Sequence, residues 1–405
     1  MRTTAAAVAV FLCLMAPAAR AVDWSIRSTA SETVELNDNM FLSPHPIGGT
    51  LGSYSTISAN AEARTPTSRF NVDSSVNYNK YLGPGASGLP QTEALSFGFR
   101  GHYETFGKIN SDRSYLDAGY NQSIAAFALL NQLGVIANVK GSLDTLNFGG
   151  GVDRSLGALD TVSLSARSTL TSFDPSSAGT AYTDTSARGS WNHRLNSLTT
   201  ITASSDAEWL NYDNAFGTNL IILRNQAGFD TSLSPLLSFR GNWGAAYIQT
   251  NNSGPAAASA SVTGLIYDMQ LTYRVLKNTT FTLGTFQSVG PSVLGSLFQS
   301  RSVQAGLTHI VNSLSSLSFS AGAFETTSTS TSQFASASVS YTRTLARDWT
   351  ANLSYRYLHS FGTTGGAAVF TPIAGIPVIS TLGAASSNSI VVVLSKSTTV
   401  LPHSD

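Results

Sequence analysis

The chain has 405 residues, 11% of them charged and 42% hydrophobic. Ordinary globular proteins carry about 25% charged residues, and disordered chains lack so large an apolar share. Formal net charge is zero, which excludes the basic field of a general nucleic-acid binder. Ser, Thr, Gly and Asn supply the polarity instead. Such a palette suits strands with water on one side and something apolar on the other.

The N-terminus reads as an export signal. Arg2 is the positive start, Ala5 to Met15 the apolar stretch, and Ala19-Arg20-Ala21 an A-x-A cleavage site, so the mature protein is expected to begin at Val22. The apolar run is too short for a membrane anchor. Cys13, the single cysteine, leaves with the signal. The mature chain then has neither a disulfide nor a cysteine metal site, and no cofactor is expected.

Trp24 to Glu35 reads as the first strand, followed by a loop over Asn37 to Thr50. Ser53 to Arg64 and Phe70 to Tyr81 follow, the latter with Phe70, Val72, Val76 and Tyr78 opposite Asn71, Asp73, Ser75, Asn77 and Asn79. In Glu93 to Glu104, Leu95, Phe97, Phe99 and Tyr103 oppose Ser96, Gly98, Arg100 and His102. Period two marks strands with one apolar and one polar face. Ser114 to Ala125 is a further strand. Ala126, Leu129, Leu130 and Leu133 have helix-like spacing, so Phe127 to Val139 reads equally as a short helical loop. Gly141 to Asp153 is a strand softened by three consecutive glycines.

From there the hairpin unit is regular. Short turns centre near Gly157, Asn196, Pro235, Lys277, Ser313 and Arg347. Longer Pro-, Gly- and Ser-rich connections alternate with them, the last being Phe361 to Ser386. The final hairpin shows the pattern best: Trp349, Ala351, Leu353, Tyr355 and Tyr357 share one parity, and Thr350, Asn352, Ser354 and Arg356 the other. The last strand is placed at Ser389 to Ser395.

Short turns at one end and long loops at the other characterise outer-membrane barrels. In lipid every backbone polar group needs a partner, which forces such a sheet to close. The expected fold is all-β, a transmembrane antiparallel up-and-down β-barrel of roughly 16–18 strands. The expected division is a signal over 1–21, a barrel over 22–396 and a tail over 397–405. A soluble sandwich does not require uniformly amphipathic strands plus export, and a solenoid would show a shared motif per repeat. Trp209, Tyr212, Trp243, Tyr247, Tyr267 and Tyr273 lie toward strand ends, as in the aromatic girdles at the two membrane interfaces.

The segment Glu32-Thr33-Val34-Glu35-Leu36-Asn37-Asp38-Asn39-Met40-Phe41-Leu42-Ser43-Pro44 resembles the N-terminal signature of the "porin 2" family of outer-membrane β-barrels. Its specific parts are Asn37-Asp38-Asn39 and Phe41-Leu42-Ser43-Pro44; the turns Leu195-Asn196-Ser197-Leu198 and Leu233-Ser234-Pro235-Leu236 also fit. Some members of that family are associated with exopolysaccharide-export or protein-sorting loci. The resemblance implies a pore-like protein of the Gram-negative outer membrane. It supplies no catalytic residue.

Charges on the polar parity are costly against lipid, so they are expected to face a lumen. The candidate pore-lining residues are Arg188, Arg224, Arg240, Arg274 and Arg356, opposed by Asp184, Asp206, Asp230 and Asp268. Any one of them alone is read first as satisfied wall electrostatics, while the face taken together is the pore lining. His102, His193, His309 and His359 have no matching nucleophile and acid nearby in sequence, and neither an H-E-x-x-H nor a phosphate loop is present. An enzyme is not expected. Two functions remain: a channel passing small polar solutes, saccharides being one candidate, or an accessory barrel for exopolysaccharide or surface assembly with no open channel. Expected partners are outer-membrane lipid, the barrel assembly machinery and, on the resemblance, exopolysaccharide export components; nucleic acid is excluded.

Overall fold

The computed structural model describes residues 23–107, 112–127, 140–175, 179–214, 217–252, 259–291, 297–327, 331–364 and 383–401. The expected signal segment therefore lies outside the described residues.

The strands are β1 (Asp23–Asn37), β2 (Thr50–Arg64), β3 (Ser68–Leu82), β4 (Glu93–Phe106), β5 (Arg113–Ile124) and β6 (Ser142–Ser155). Then come β7 (Asp160–Asp174), β8 (Tyr182–Arg194), β9 (Thr199–Tyr212), β10 (Thr218–Ser234), β11 (Leu237–Asn252) and β12 (Ser259–Leu276). The last are β13 (Thr279–Pro291), β14 (Leu297–Asn312), β15 (Ser315–Thr327), β16 (Thr331–Ala346), β17 (Trp349–Thr364) and β18 (Ala385–Leu401).

All eighteen form one sheet in which each strand pairs with its neighbours in sequence. β1 closes the sheet on β18, antiparallel, from Asn37 opposite Ser389 to Ile26 opposite Leu401. Closure pairs both edges, as a backbone in hydrocarbon requires. The expected barrel is thus the observed fold, at the upper end of the expected strand range.

One boundary is corrected. β18 runs to Leu401, and 397–401 pair with β1 as part of the wall, so the segment is not a tail from 397 onward. Ile390 to Leu394 is an uninterrupted apolar run because Val391, on the inner side, is also buried. Without alternation, the strand's extent is hard to read.

The short turns follow from local side-chain chemistry. Asn196 Oδ1 accepts the amides of Leu198 at 2.8 Å and Thr199 at 2.9 Å. Ser234 Oγ accepts those of Leu236 and Leu237 at 3.2 and 3.1 Å, and Asn312 Oδ1 that of Leu314 at 2.9 Å. These are turns in which a side chain replaces a backbone acceptor. They share one end of the barrel with the start of β1 and the end of β18.

Parity separates the two faces. Leu95, Leu116, Leu164, Leu223, Leu265, Val303, Leu353 and Val392 are among the exposed apolar residues of one face. Outward exposure of such a row is expensive in water and favourable in lipid. Trp349, Leu353 and Tyr355 lie on this face; Asn352, Ser354 and Arg356 lie on the other. The other face is interior, because it makes contacts that skip strands. Arg224 on β10 reaches the Val289 carbonyl on β13, across β11 and β12.

Candidate solute pathway

The interior wall is built from the polar parity of the strands. Arg188 stands opposite Asp206, and Asp206 opposite Arg224, so the three form a row across β8, β9 and β10. Arg224 donates to Asp206 Oδ1 at 2.7 Å and also pairs with Glu208. Asp184, on β8 with Arg188, has an Oδ1 shielded from solvent that accepts no hydrogen bond. Asp230 stands opposite Arg240 on β10 and β11, and Asp268 opposite Asn242 on β12. All nine candidates thus share the interior parity, and the structure assembles Arg188, Asp206 and Arg224 with Asp184 nearby. It does not bring Arg274 or Arg356 to that group: Arg274 is at the short-turn end of β12, and Arg356 faces Ser338 and Ser389 on the far wall.

Other charged residues extend the wall. A chain of ion pairs crosses β2 to β6: Glu62 to Arg69 at 2.8 Å, Arg69 to Glu104 at 4.0 Å, Glu104 to Arg113 at 3.6 Å, and Arg113 to Asp153 at 2.9 Å. Asp117 receives Arg100 at 3.2 Å and His102 at 2.9 Å. Arg100, Arg167 and Glu208 are on the same interior parity. The signal for them was the alternation itself, since each is next to an apolar residue of the other parity: Phe99, Ala166 and Trp209.

Two segments reduce the interior. Pairing of β12 with β13 ends at Tyr267 opposite Gln287, while β13 continues to pair with β14 up to Pro291. Past that point β13 leaves β12 and turns inward. Gln287 Nε2 caps the break on the Leu265 carbonyl at 2.6 Å. Val289 packs into a buried cluster with Leu210, Tyr212, Leu220, Ile222, Ala246, Ile248 and Ile266. Ile222 and Leu210 are 0% exposed, so the β13 arm covers aliphatic side chains that would otherwise meet lumen water. Arg224 fixes the arm by donating to the Val289 carbonyl at 3.1 Å.

The second segment is the loop between β1 and β2. Asn37-Asp38-Asn39 ties it to β18 at the closure seam. Asp38 takes the Asn388 amide and its side chain, each at 2.7 Å. Asn39 donates to Ser386 O at 2.9 Å and to Ser43 O at 2.8 Å, and accepts from Ser43 N at 2.9 Å. Leu42, at φ 51°, packs with Phe334 and Ala385 on one side of β1. Phe41 packs with Tyr81, Ala86 and Leu89 on the other. The short 3-10 turn Pro84–Gly88 supports that side.

The long connections over Phe127 to Val139 and Phe361 to Ser386 are described only in part. Residues 128–139 and 365–382 lie outside the described residues. Among the described residues no group of three or more His, Cys, Asp or Glu is placed to hold a metal ion.

No family model matches the chain, and no curated protein matches it. Solved structures do. The FrpB iron transporter of Neisseria meningitidis, F5-1 variant in its apoprotein form, aligns with a TM-score of 0.56 over 93% of this chain and 81% of that one, at 7% identity. OccK2 (OpdF) of Pseudomonas aeruginosa aligns with a TM-score of 0.50 over 94% of this chain and 98% of that one, at 12% identity. The same protein in complex with glucuronate aligns with a TM-score of 0.50 over 93% and 98%, at 11% identity. At these identities the likeness is one of fold, a closed antiparallel β-barrel.

Proposed function

We propose that this protein is a channel of the bacterial outer membrane, passing small polar solutes with weak charge selectivity. The observation that carries this reading is the interior of the eighteen-stranded barrel. Its wall is Ser, Thr, Asn and charged residues of both signs, opposite a face of exposed aliphatics. Barrels of about 16–18 strands leave an aqueous lumen. Mixed signs along the wall favour modest filtering by charge over strict exclusion. Saccharides fit as cargo on chemical grounds, since the wall is rich in hydroxyl and amide groups that match sugar hydroxyls.

A specific observation favours a second reading, a barrel closed to solute. The β13 arm and the first loop both enter the interior and bury apolar side chains there. Liposome swelling separates the two. Vesicles carrying the refolded protein should swell in arabinose and glucose and progressively less in larger oligosaccharides. Swelling no faster than protein-free vesicles in every sugar would favour the closed barrel.

A further inference from the structure

On the interior wall of β4 to β9 lies a recess of about 450 Å³. Arg100, Asn147, Arg167 and Arg188 line it together with the carboxylates of Asp117 and Asp206. The strand register places Arg167 opposite Ser186 and Arg188 opposite Ser165, so the two arginines are diagonal neighbours on adjacent strands. Both are exposed to the lumen. Neither belongs to an ion pair among the described residues. The carboxylates beside them are engaged elsewhere: Asp117 by Arg100 and His102, and Asp206 by Arg224. Asp184 attracts Arg167 only from beyond ion-pair distance.

The floor is kept open by glycine. A Cβ at Gly149 would stand 3.2 Å from the Ala166 carbonyl oxygen and 3.6 Å from Arg167 Cβ. A side chain there would enter the recess and crowd Arg167. This glycine of β6, a residue type that weakens strands in general, here makes room beside the guanidinium group.

We infer that this recess binds a small organic carboxylate whose remaining atoms carry hydroxyls. This rests on the channel reading, in that the ligand is a solute inside the barrel. Two adjacent guanidinium groups that enter no ion pair among the described residues match a carboxylate, which accepts their parallel N–H donors. Asn147, Ser165, Ser186 and the Tyr115 hydroxyl supply the neutral donors and acceptors that hydroxyls need. The volume falls within the roughly 300–1,000 Å³ of small-molecule sites and suits a ligand of monosaccharide size.

The test is calorimetric titration of the full-length folded barrel in detergent micelles with galacturonate and, separately, galactose. The two sugars differ only at C6, a carboxylate in one and a hydroxymethyl group in the other. Galacturonate should bind at least roughly tenfold more tightly than galactose, the worth of one or two charge-assisted hydrogen bonds. Arg167→Gln and Arg188→Gln should each weaken galacturonate roughly tenfold, with galactose unmoved. Arg188→Lys should restore part of the loss. Arg343→Gln, at the short-turn end of β16, should leave binding unchanged. Folding of each variant is read from its heat-dependent gel mobility. Equal affinity for the two sugars, absence of galacturonate binding, or wild-type affinity in the Arg167→Gln, Arg188→Gln pair would overturn the site. Binding in micelles needs no conduction. A barrel that binds but does not conduct would keep the site and lose the channel, and one that conducts but does not bind would do the reverse.

Discussion

Replacing Arg224 with Met tests the interior most severely. Met keeps much of the aliphatic stem and removes the charged head. The head donates to Asp206 at 2.7 Å and to the Val289 carbonyl at 3.1 Å, and also pairs with Glu208. The side chains of Arg224, Asp206 and Glu208 are 21%, 22% and 9% exposed. Removing one partner of a fully buried ion pair costs about 3–5 kcal/mol, because the other charge is left behind. Part of this set still meets water, so a cost of about 2–4 kcal/mol is expected here. The arm formed by β13 also loses its polar tether and keeps only the apolar contacts of Val289. Urea unfolding of the micelle-bound barrel, followed by tryptophan fluorescence, measures the first effect; current noise in planar bilayers measures the second. The variant should unfold at lower urea and show larger current fluctuations. Asp206→Asn combined with Glu208→Gln removes the stranded charges and should return much of the stability lost in Arg224→Met when the three changes are combined. A wild-type urea midpoint together with wild-type noise in Arg224→Met would mean that Arg224 neither stabilises the wall nor holds the arm.

Leu353→Arg should cost about 2–4 kcal/mol if the site lies near the bilayer midplane, whereas Asn352→Arg, on the interior parity, should be mild; urea midpoints of the two variants decide it, and equal damage would contradict the assignment of faces. Asn39→Ala leaves the Ser43 amide and the Ser43 and Ser386 carbonyls without their partner in a site where Asn39 is 6% exposed, so amide exchange should quicken over residues 38–49 while the strands keep their protection. Asp112, in the turn before β5, is held below the usual carboxylate range by the Ser155 amide and then by Arg154. Its contribution to that turn is therefore complete above about 3.8, its ordinary value, and fades as pH falls through the depressed one. The Ser155 amide resonance should titrate with a midpoint below 3.8, and Asp112→Asn should remove the titration.

Much of the wall was legible in the sequence because a period of two needs no tertiary information. Trp349 to Tyr357 shows this directly: each residue's face follows from its parity, and the turn beside Arg347 fixes the register. The turns at Asn196 and Ser234 were equally legible, since Asn and Ser there accept backbone amides within two or three residues. β18 was harder. Its inner Val391 is buried, so both faces are apolar and the alternation vanishes. The inward course of β13 had no sequence signal of its own. Its tether is the Val289 carbonyl, and a backbone oxygen has no identity in sequence. Its seat, Leu220, Ile222, Ile248 and Ile266, did leave a trace: four apolar residues on the polar parity, which a water-filled wall would not tolerate uncovered. Asn37-Asp38-Asn39 stood out as a motif, but its partners Ser386 and Asn388 lie at the other end of the chain and become neighbours only when the barrel closes.

A water-filled interior of this kind should conduct ions. Single-channel recording of the purified full-length protein in planar bilayers tests it most directly, with ion preference read from reversal potentials across a salt gradient. The wild type should give steady open levels with weak ion preference, and Arg188→Glu combined with Arg240→Glu should shift that preference toward cations. A folded barrel, with heat-dependent mobility intact, that shows no conducting level at any voltage would contradict the account.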